Sequence, residues 1–166
     1  METLRLGNVG HFSDNGVGHL NMLTNLQRLS LPISTLSGKA LKNIIACSKL
    51  KELNLGGTGV DDTGLANIKG LTAMENLELN HTKISDAGLE NLKGMNHLES
   101  LDLSDTAVTD AGLVHLSGLP TLRTLRLRNL HLSTAGVEAL KAIKKLEVVD
   151  LIGTPFHELE SIFIKH

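Results

Sequence analysis

Aromatic residues are nearly missing from this 166-residue chain, which has three Phe, no Trp and no Tyr. Sugar sites and single-stranded nucleic-acid sites rest on aromatic platforms, so the scarcity argues against both. Cysteine is as scarce. With Cys47 alone no intramolecular disulfide can form, which fits a reducing compartment and points to the cytoplasm. Long apolar runs are missing too: none approaches the ~20 residues of a membrane-spanning helix. Gly, Asn, His and Asp break up the N-terminal stretch from Gly7 onward, unlike the ordered segments of a signal peptide. Net charge is only −2, from 16 basic and 18 acidic residues. No global field therefore draws the chain to nucleic acid or to an anionic membrane.

What the chain has instead is periodicity. The pattern L-x-x-L-x-L begins at Met1, Leu26, Leu50, Met74, Leu98, Leu122 and Leu146, a first step of 25 residues followed by steps of 24. Within each copy the alternation seen in Ser100-Leu101-Asp102-Leu103 predicts a short strand with one buried face. A turn follows, and then Ser85, Thr109 or Ser133 stands where a helix N-cap is needed, with Asp86 or Asp110 opposing the helix dipole in the first turn. Gly70, Gly94 and Gly118 recur in phase as helix-ending glycines. Each copy thus reads as a strand plus a helix of roughly two turns. So short a return lays the next strand parallel beside the last, and the stack grows into a curved solenoid.

Beyond the leucines, one column holds Thr58, Thr82, Thr106 and Thr154, and another Val60, Ile84 and Val108. Asp62, Asp86 and Asp110 follow, then Gly64, Gly88 and Gly112. Over its whole length the chain resembles leucine-rich repeat proteins. It is most similar to the T-x-[VI]-[TS]-D-x-G-L form common in bacterial repeat proteins, which is akin to the helical-backed repeats of F-box partners. The resemblance implies an α/β fold: a right-handed solenoid of about seven strand-helix repeats, with a concave parallel sheet and helices on the convex side. Copy one departs from the pattern by an extra residue within 7–11, copy two by Ser34 and Ala40 at the Thr and Gly places, and copy six by Leu130 for Thr. The tail breaks the repeat, and residues 155–166 read as an amphipathic cap with Phe156, Leu159, Ile162 and Phe163 on one side. Nothing comparable precedes Met1, so an N-terminally uncapped fragment is expected, or end-to-end self-association through the first copy.

Repeat phase dissolves several motifs that suggest chemistry. Residues 6–16 resemble a phosphate loop but lack its glycine spacing, and every other copy has a turn in the same place. Ser37-Gly38-Lys39 lacks the upstream glycine of a nucleotide loop, since Ile33 stands there. The eight histidines scatter over repeat phases, whereas zinc needs three or four convergent ligands. Cys47 occupies the place of Leu71, Met95, Leu119 and Ile143 and so reads as a small core residue. The Thr column is expected to satisfy turn amides, and Asp62, Asp86 and Asp110 to serve as helix-start residues. No catalytic group, metal or cofactor is expected.

Function is expected on the outward columns of the strands. All five arginines (Arg5, Arg28, Arg123, Arg126 and Arg128) fall on strand segments, but only Lys51 of the eleven lysines does. Arg is enriched and Lys depleted at interfaces, because the weakly hydrated guanidinium fork makes several hydrogen bonds at once. In the stretch "LRTLRLRNLHLS" (122–133), Arg126 is expected between Asp102 and Asp150, leaving Arg128 and Arg123 free for a partner. Glu52, Glu78, Asp102 and Asp105 make the centre acidic, with Asn54, Asn80 and His81 beside them. These ten residues form the candidate site. Its bipolar charge suits a protein or peptide of mixed or basic charge and repels a phosphate backbone. The family resemblance also allows the substrate-recognition part of a larger ubiquitin-ligase or bacterial effector protein.

Overall fold

The structure, a computed structural model, describes residues 2–6 and 14–156. The extra residue expected within 7–11, Phe12, and the part of the cap beyond Phe156 lie outside the described residues. Each L-x-x-L-x-L segment supplies one three-residue strand. These are β1 (Thr3–Arg5), β2 (Arg28–Ser30), β3 (Glu52–Asn54), β4 (Asn76–Glu78), β5 (Ser100–Asp102), β6 (Thr124–Arg126) and β7 (Val148–Asp150). All seven pair in parallel and in chain order. The register sets Leu53 against Leu77 and Leu101 against Leu125, so residues of equal repeat phase are neighbours in space. From β2 to β7 the middle residue is buried and its two flanks stay open, the period-2 signature of a half-buried strand.

The return segments contain α1 (Asp14–Val17), α2 (Asp62–Asn67), α3 (Asp86–Leu89), α4 (Asp110–Leu113) and α5 (Thr134–Lys141). Only the eight-residue α5 has the expected two turns. The rest of the backing is 3₁₀ helix, at Leu20–Met22, Gly38–Asn43, Glu90–Leu92 and Val114–Gly118. Strands pack ~4.8 Å apart and α-helices ~8–10 Å, so the tighter 3₁₀ turns narrow the mismatch between the two sides of the stack. Of the three glycines expected to end helices, only Gly94 takes a left-handed conformation (φ 104°); Gly70 and Gly118 do not.

Two side-chain networks differ from expectation. Among the described residues the Thr column satisfies a turn amide only at Thr154, whose Oγ1 accepts from the Phe156 N–H at 3.2 Å. The hydroxyls of Thr58, Thr82, Thr106 and Thr154 donate to the carbonyls of Leu55, Leu79, Leu103 and Leu151, three residues back, at 2.5–2.7 Å. The strand has just ended there, and its last inward carbonyl needs a donor more than the turn needs an acceptor. Ser34 does the same toward Leu31 at 3.1 Å.

The aspartates at the helix starts also reach beyond their own helices. Asp62 accepts both the backbone N–H and the hydroxyl of Ser85, the N-cap of the next repeat, at 2.8 and 2.6 Å. Asp14 holds Ser37, Asp86 holds Thr109 and Asp110 holds Ser133 in the same way. The glycine column follows from this bond. A Cβ on Gly88, Gly112 or Gly136 would strike the carboxylate of Asp62, Asp86 or Asp110. One junction lacks the bond, because Gly38 replaces the aspartate and Asp61 replaces the serine. Here Asp61 turns onto its own helix and accepts from the Thr63 hydroxyl (2.8 Å) and the Gly64 N–H (3.0 Å). Those two bonds, the hydroxyl's first, hold its carboxyl below the usual carboxylate range.

The eighth place of each described repeat is left-handed: Ile33, Gly57, His81, Asp105, Asn129 and Gly153 have φ between 50° and 75°. Gly, Asn and Asp accept this conformation, whereas a β-branched residue is strained by it. Ile33 is also 85% exposed, so burial does not offset the strain.

Three outcomes are expected of stability measurements. Ile33→Asn raises the urea midpoint, by the equivalent of about 1 kcal/mol. Gly38→Asp places a Cβ 2.5 Å from Asp61 Oδ1 and 2.6 Å from Gly64 Cα. It costs about 2 kcal/mol or more, and Asp61→Ser added to it recovers part of the loss in a double-mutant cycle. The stability that Asp61 contributes is fully present above the ordinary carboxylate pKa and is lost as pH falls through the lower folded value. Asp61→Asn therefore flattens the loss between about pH 5 and pH 2 in urea titrations.

Candidate functional site

Helices cover one face of the sheet, and the other presents the first and third residues of each strand. A groove of about 480 Å³ crosses this open face, bordered by Arg5, Arg28, Asn54, Asn76, Glu78 and Ser100 among others. Arg126 also lines it, at the far side. The register brings Asn54, Glu78, Asp102, Arg126 and Asp150 into one row across successive strands.

On this face the partners are set by competition. Glu52 takes the Arg28 guanidinium at 2.8 Å. Asn54 accepts from the Gly56 N–H at 2.9 Å and donates to Glu78, which contacts no cation among the described residues. Asp102 accepts from the Ser104 N–H at 2.9 Å, and Asp150 from the Ile152 N–H at 3.2 Å. These are turn-forming bonds in which a short side chain caps the end of its own strand. The acid and amide of this row therefore hold the turn as well as facing outward.

The arginines differ from expectation. Arg128 is not free: its Nε lies 2.5 Å from Asp150 Oδ2. Arg123 is paired with Glu147. Arg126, expected between Asp102 and Asp150, sits beside both in register but hydrogen-bonds neither. Asp150 is taken by Arg128 and by its own turn, and Asp102 points one oxygen at Ser104. Arg126 is consequently the half-buried guanidinium that makes no hydrogen bond or ion pair among the described residues.

Along the rim, His81 Nε2 lies 3.4 Å from Asp105 Oδ2, and Asn129 Nδ2 donates to Asp105 Oδ1 at 2.8 Å. Asn80 packs over Gly56, whose bare Cα leaves room for the amide. The structure therefore brings Asn54, Glu78 and Arg126 to the groove, with Asp102 between Glu78 and Arg126 in the register, and His81, Asp105 and Asn129 on the rim. Asn76 and Ser100, which the candidate residues omitted, complete the floor; their phase, equal to that of Glu52 and one and two strands from it, was the signal. Lys51 pairs with Glu75 at 2.7 Å and extends the charged border.

Cys47 is buried, its thiol 3.5 Å from the Leu20 carbonyl, and burial pushes its pKa up, away from nucleophile behaviour. Among the described residues no three His, Cys, Asp or Glu side chains converge to hold a metal ion, and no helix is long and apolar enough to cross a membrane.

Comparison with known proteins bears on this geometry. The family model described as Leucine Rich repeat matches residues 46–69, 71–93 and 94–117. Among solved structures, the chain is similar to internalin C2 from Listeria monocytogenes, at 25% sequence identity and a TM-score of 0.75. The similarity covers 92% of this chain and 62% of that one, so the chain spans about three-fifths of the internalin's length. None of the curated proteins matches by sequence. Three consecutive family matches, the parallel sheet with its 24-residue step and the likeness to the internalin agree: the chain is a leucine-rich repeat protein.

Proposed function

We propose that the chain is a non-enzymatic scaffold that binds a protein or peptide on the open face of its sheet. Its family and fold are those of a protein-interaction repeat scaffold; the placing of the partner on this face is our own reading. The observation that carries it is the groove across β1–β6, where exposed side chains of many repeats face a common space. A stack of identical backbone units is rigid, so an extended partner meets side chains that are already ordered. Polar and charged groups line the floor with few apolar ones, which suits a partner held through hydrogen bonds and charge rather than through a greasy pocket.

The strand bias of the arginines supports the same face. Arg5, Arg28, Arg126 and Arg128 lie there with Arg123 at the border, and each of Arg28, Arg123 and Arg128 stands next to a carboxylate that holds it in place. Exposed pairs of this kind contribute only about 0–1 kcal/mol to folding, so their concentration on one face points to recognition rather than to stability. The proposed contact residues are Glu52, Asn54, Glu78, Asn80, His81, Asp102, Asp105, Arg123, Arg126 and Arg128.

The reading is tested by selecting a random displayed peptide library on the immobilised chain. Ser100→Arg fills the middle of the groove, and Val114→Glu places a charge on the opposite, helical side, where Val114 is 59% exposed. Peptides enriched on the wild type are expected to lose at least about tenfold in affinity on Ser100→Arg, as a blocked contact centre predicts. They should keep their affinity on Val114→Glu. Equal binding to Ser100→Arg and wild type, with both folded by circular dichroism, rejects the open face as the binding site.

A further inference from the structure

Most charges on the open face are joined to the strand next door: Arg28 to Glu52, Lys51 to Glu75, Arg123 to Glu147 and Arg128 to Asp150. In the row made by the last residue of each strand, four charges contact no opposite charge among the described residues. They are Arg5 on β1, Glu78 on β4, Asp102 on β5 and Arg126 on β6. Glu78 and Asp102 face each other directly in the register, a like-charge pair that is unfavourable in itself. Arg126 is the next residue along the row. Beyond it β7 ends the sheet with two exposed apolar side chains, Val148 (49% exposed) and Ile152 (52%). The face therefore runs acidic then basic from β4 to β6, and on β7 the row reaches Asp150, held by Arg128, with the apolar Val148 two residues before it and Ile152 two residues after.

Resting on the open-face reading above, we infer that this face selects an extended peptide segment with the complementary order: a cationic residue, an acidic residue, then an aliphatic one. The spacing fits. From midway between β4 and β5 to β6 is ~7 Å at ~4.8 Å per strand, and residues i and i+2 of an extended chain are ~6.6 Å apart. A Lys or Arg at position i sits over Glu78 and Asp102 and relieves their repulsion. An Asp or Glu at i+2 meets Arg126, whose guanidinium has no bond to give up, and a Val, Ile or Leu at i+4 covers the apolar end at β7. The partner runs across the strands, so its selectivity comes from side chains and not from backbone pairing. Nearby Glu99, exposed and without an ion pair among the described residues, extends the acidic end.

Turn bonding governs the choice of variants. Asp102 Oδ1 accepts from the Ser104 N–H, so Asp102→Asn removes the charge and keeps the turn, whereas lysine there loses it. Glu78 is exposed and caps no turn, so Glu78→Lys reverses its charge without that loss. The experiment is the same random peptide selection, run in parallel on wild type, on Glu78→Lys with Asp102→Asn, and on Arg126→Glu. Wild type is expected to enrich the pattern Lys/Arg, any residue, Asp/Glu, any residue, aliphatic, in either chain direction. A synthetic peptide of that pattern should lose at least about tenfold in affinity on each charge variant. In the pool selected on the double variant the cationic position should turn acidic; on Arg126→Glu the acidic position should turn basic. Pools whose charge pattern is absent or unchanged among the variants, while Ser100→Arg still abolishes binding, overturn the charge order and leave the open face standing. Binding that survives Ser100→Arg, or a library that yields no enriched peptide, overturns both readings.

Discussion

Leu53, Leu77, Leu101 and Leu125 stack one strand apart on the inner side of the sheet, and no repeat buries its own leucine without the repeats on either side. That mutual burial forces the parallel register. Once strands pair at equal repeat phase, every other position in the repeat becomes a column, and a column must be compatible with itself at a spacing of one strand. The Thr hydroxyls satisfy this by bonding within their own turn, each to a carbonyl three residues back. The left-handed eighth place satisfies it by geometry, since every described turn bends in the same way.

The helical side obeys a different rule, because its columns bond across repeats. An aspartate of one repeat receives the N–H and hydroxyl of the next repeat's N-cap, and it fills the space over the next repeat's glycine. Three residue types, Asp, Ser or Thr, and Gly, are thus coupled across two repeats by a single contact. The exception shows the coupling: where Gly38 removes the acceptor, the donor position carries Asp61, and two glycines, Gly38 and Gly64, pass in close contact instead. A carboxylate at both places would set two negative charges against each other in a half-buried junction.

On the open face the same column logic arranges charges rather than packing. Charges one strand apart pair off along the border, and the centre keeps Glu78, Asp102 and Arg126 without opposite-charge contacts among the described residues. Because the backbone beneath is a rigid ladder, these groups do not collapse onto one another. They remain presented at strand spacing, which gives the face a direction as well as a charge.

The amino-acid sequence alone determined the period, the parallel order of the strands, the buried leucine columns and the phase of every residue on the open face. Each of these follows from the spacing of apolar residues and needs no knowledge of side-chain orientation. Residues 122–133 show where that information stops. Phase placed Arg126 between Asp102 and Asp150 and left Arg128 unpaired, yet Arg128 holds Asp150 and Arg126 holds nothing among the described residues. An arginine is long enough to reach several carboxylates around it, and each carboxylate has two oxygens with rival donors, among them the Ser104 and Ile152 amides. The reach of the Asp62, Asp86 and Asp110 side chains into the following repeat was hidden for the same reason. Repeat phase assigns neighbours, but which neighbour a polar side chain bonds is decided by competition among donors and acceptors that meet only in the folded stack.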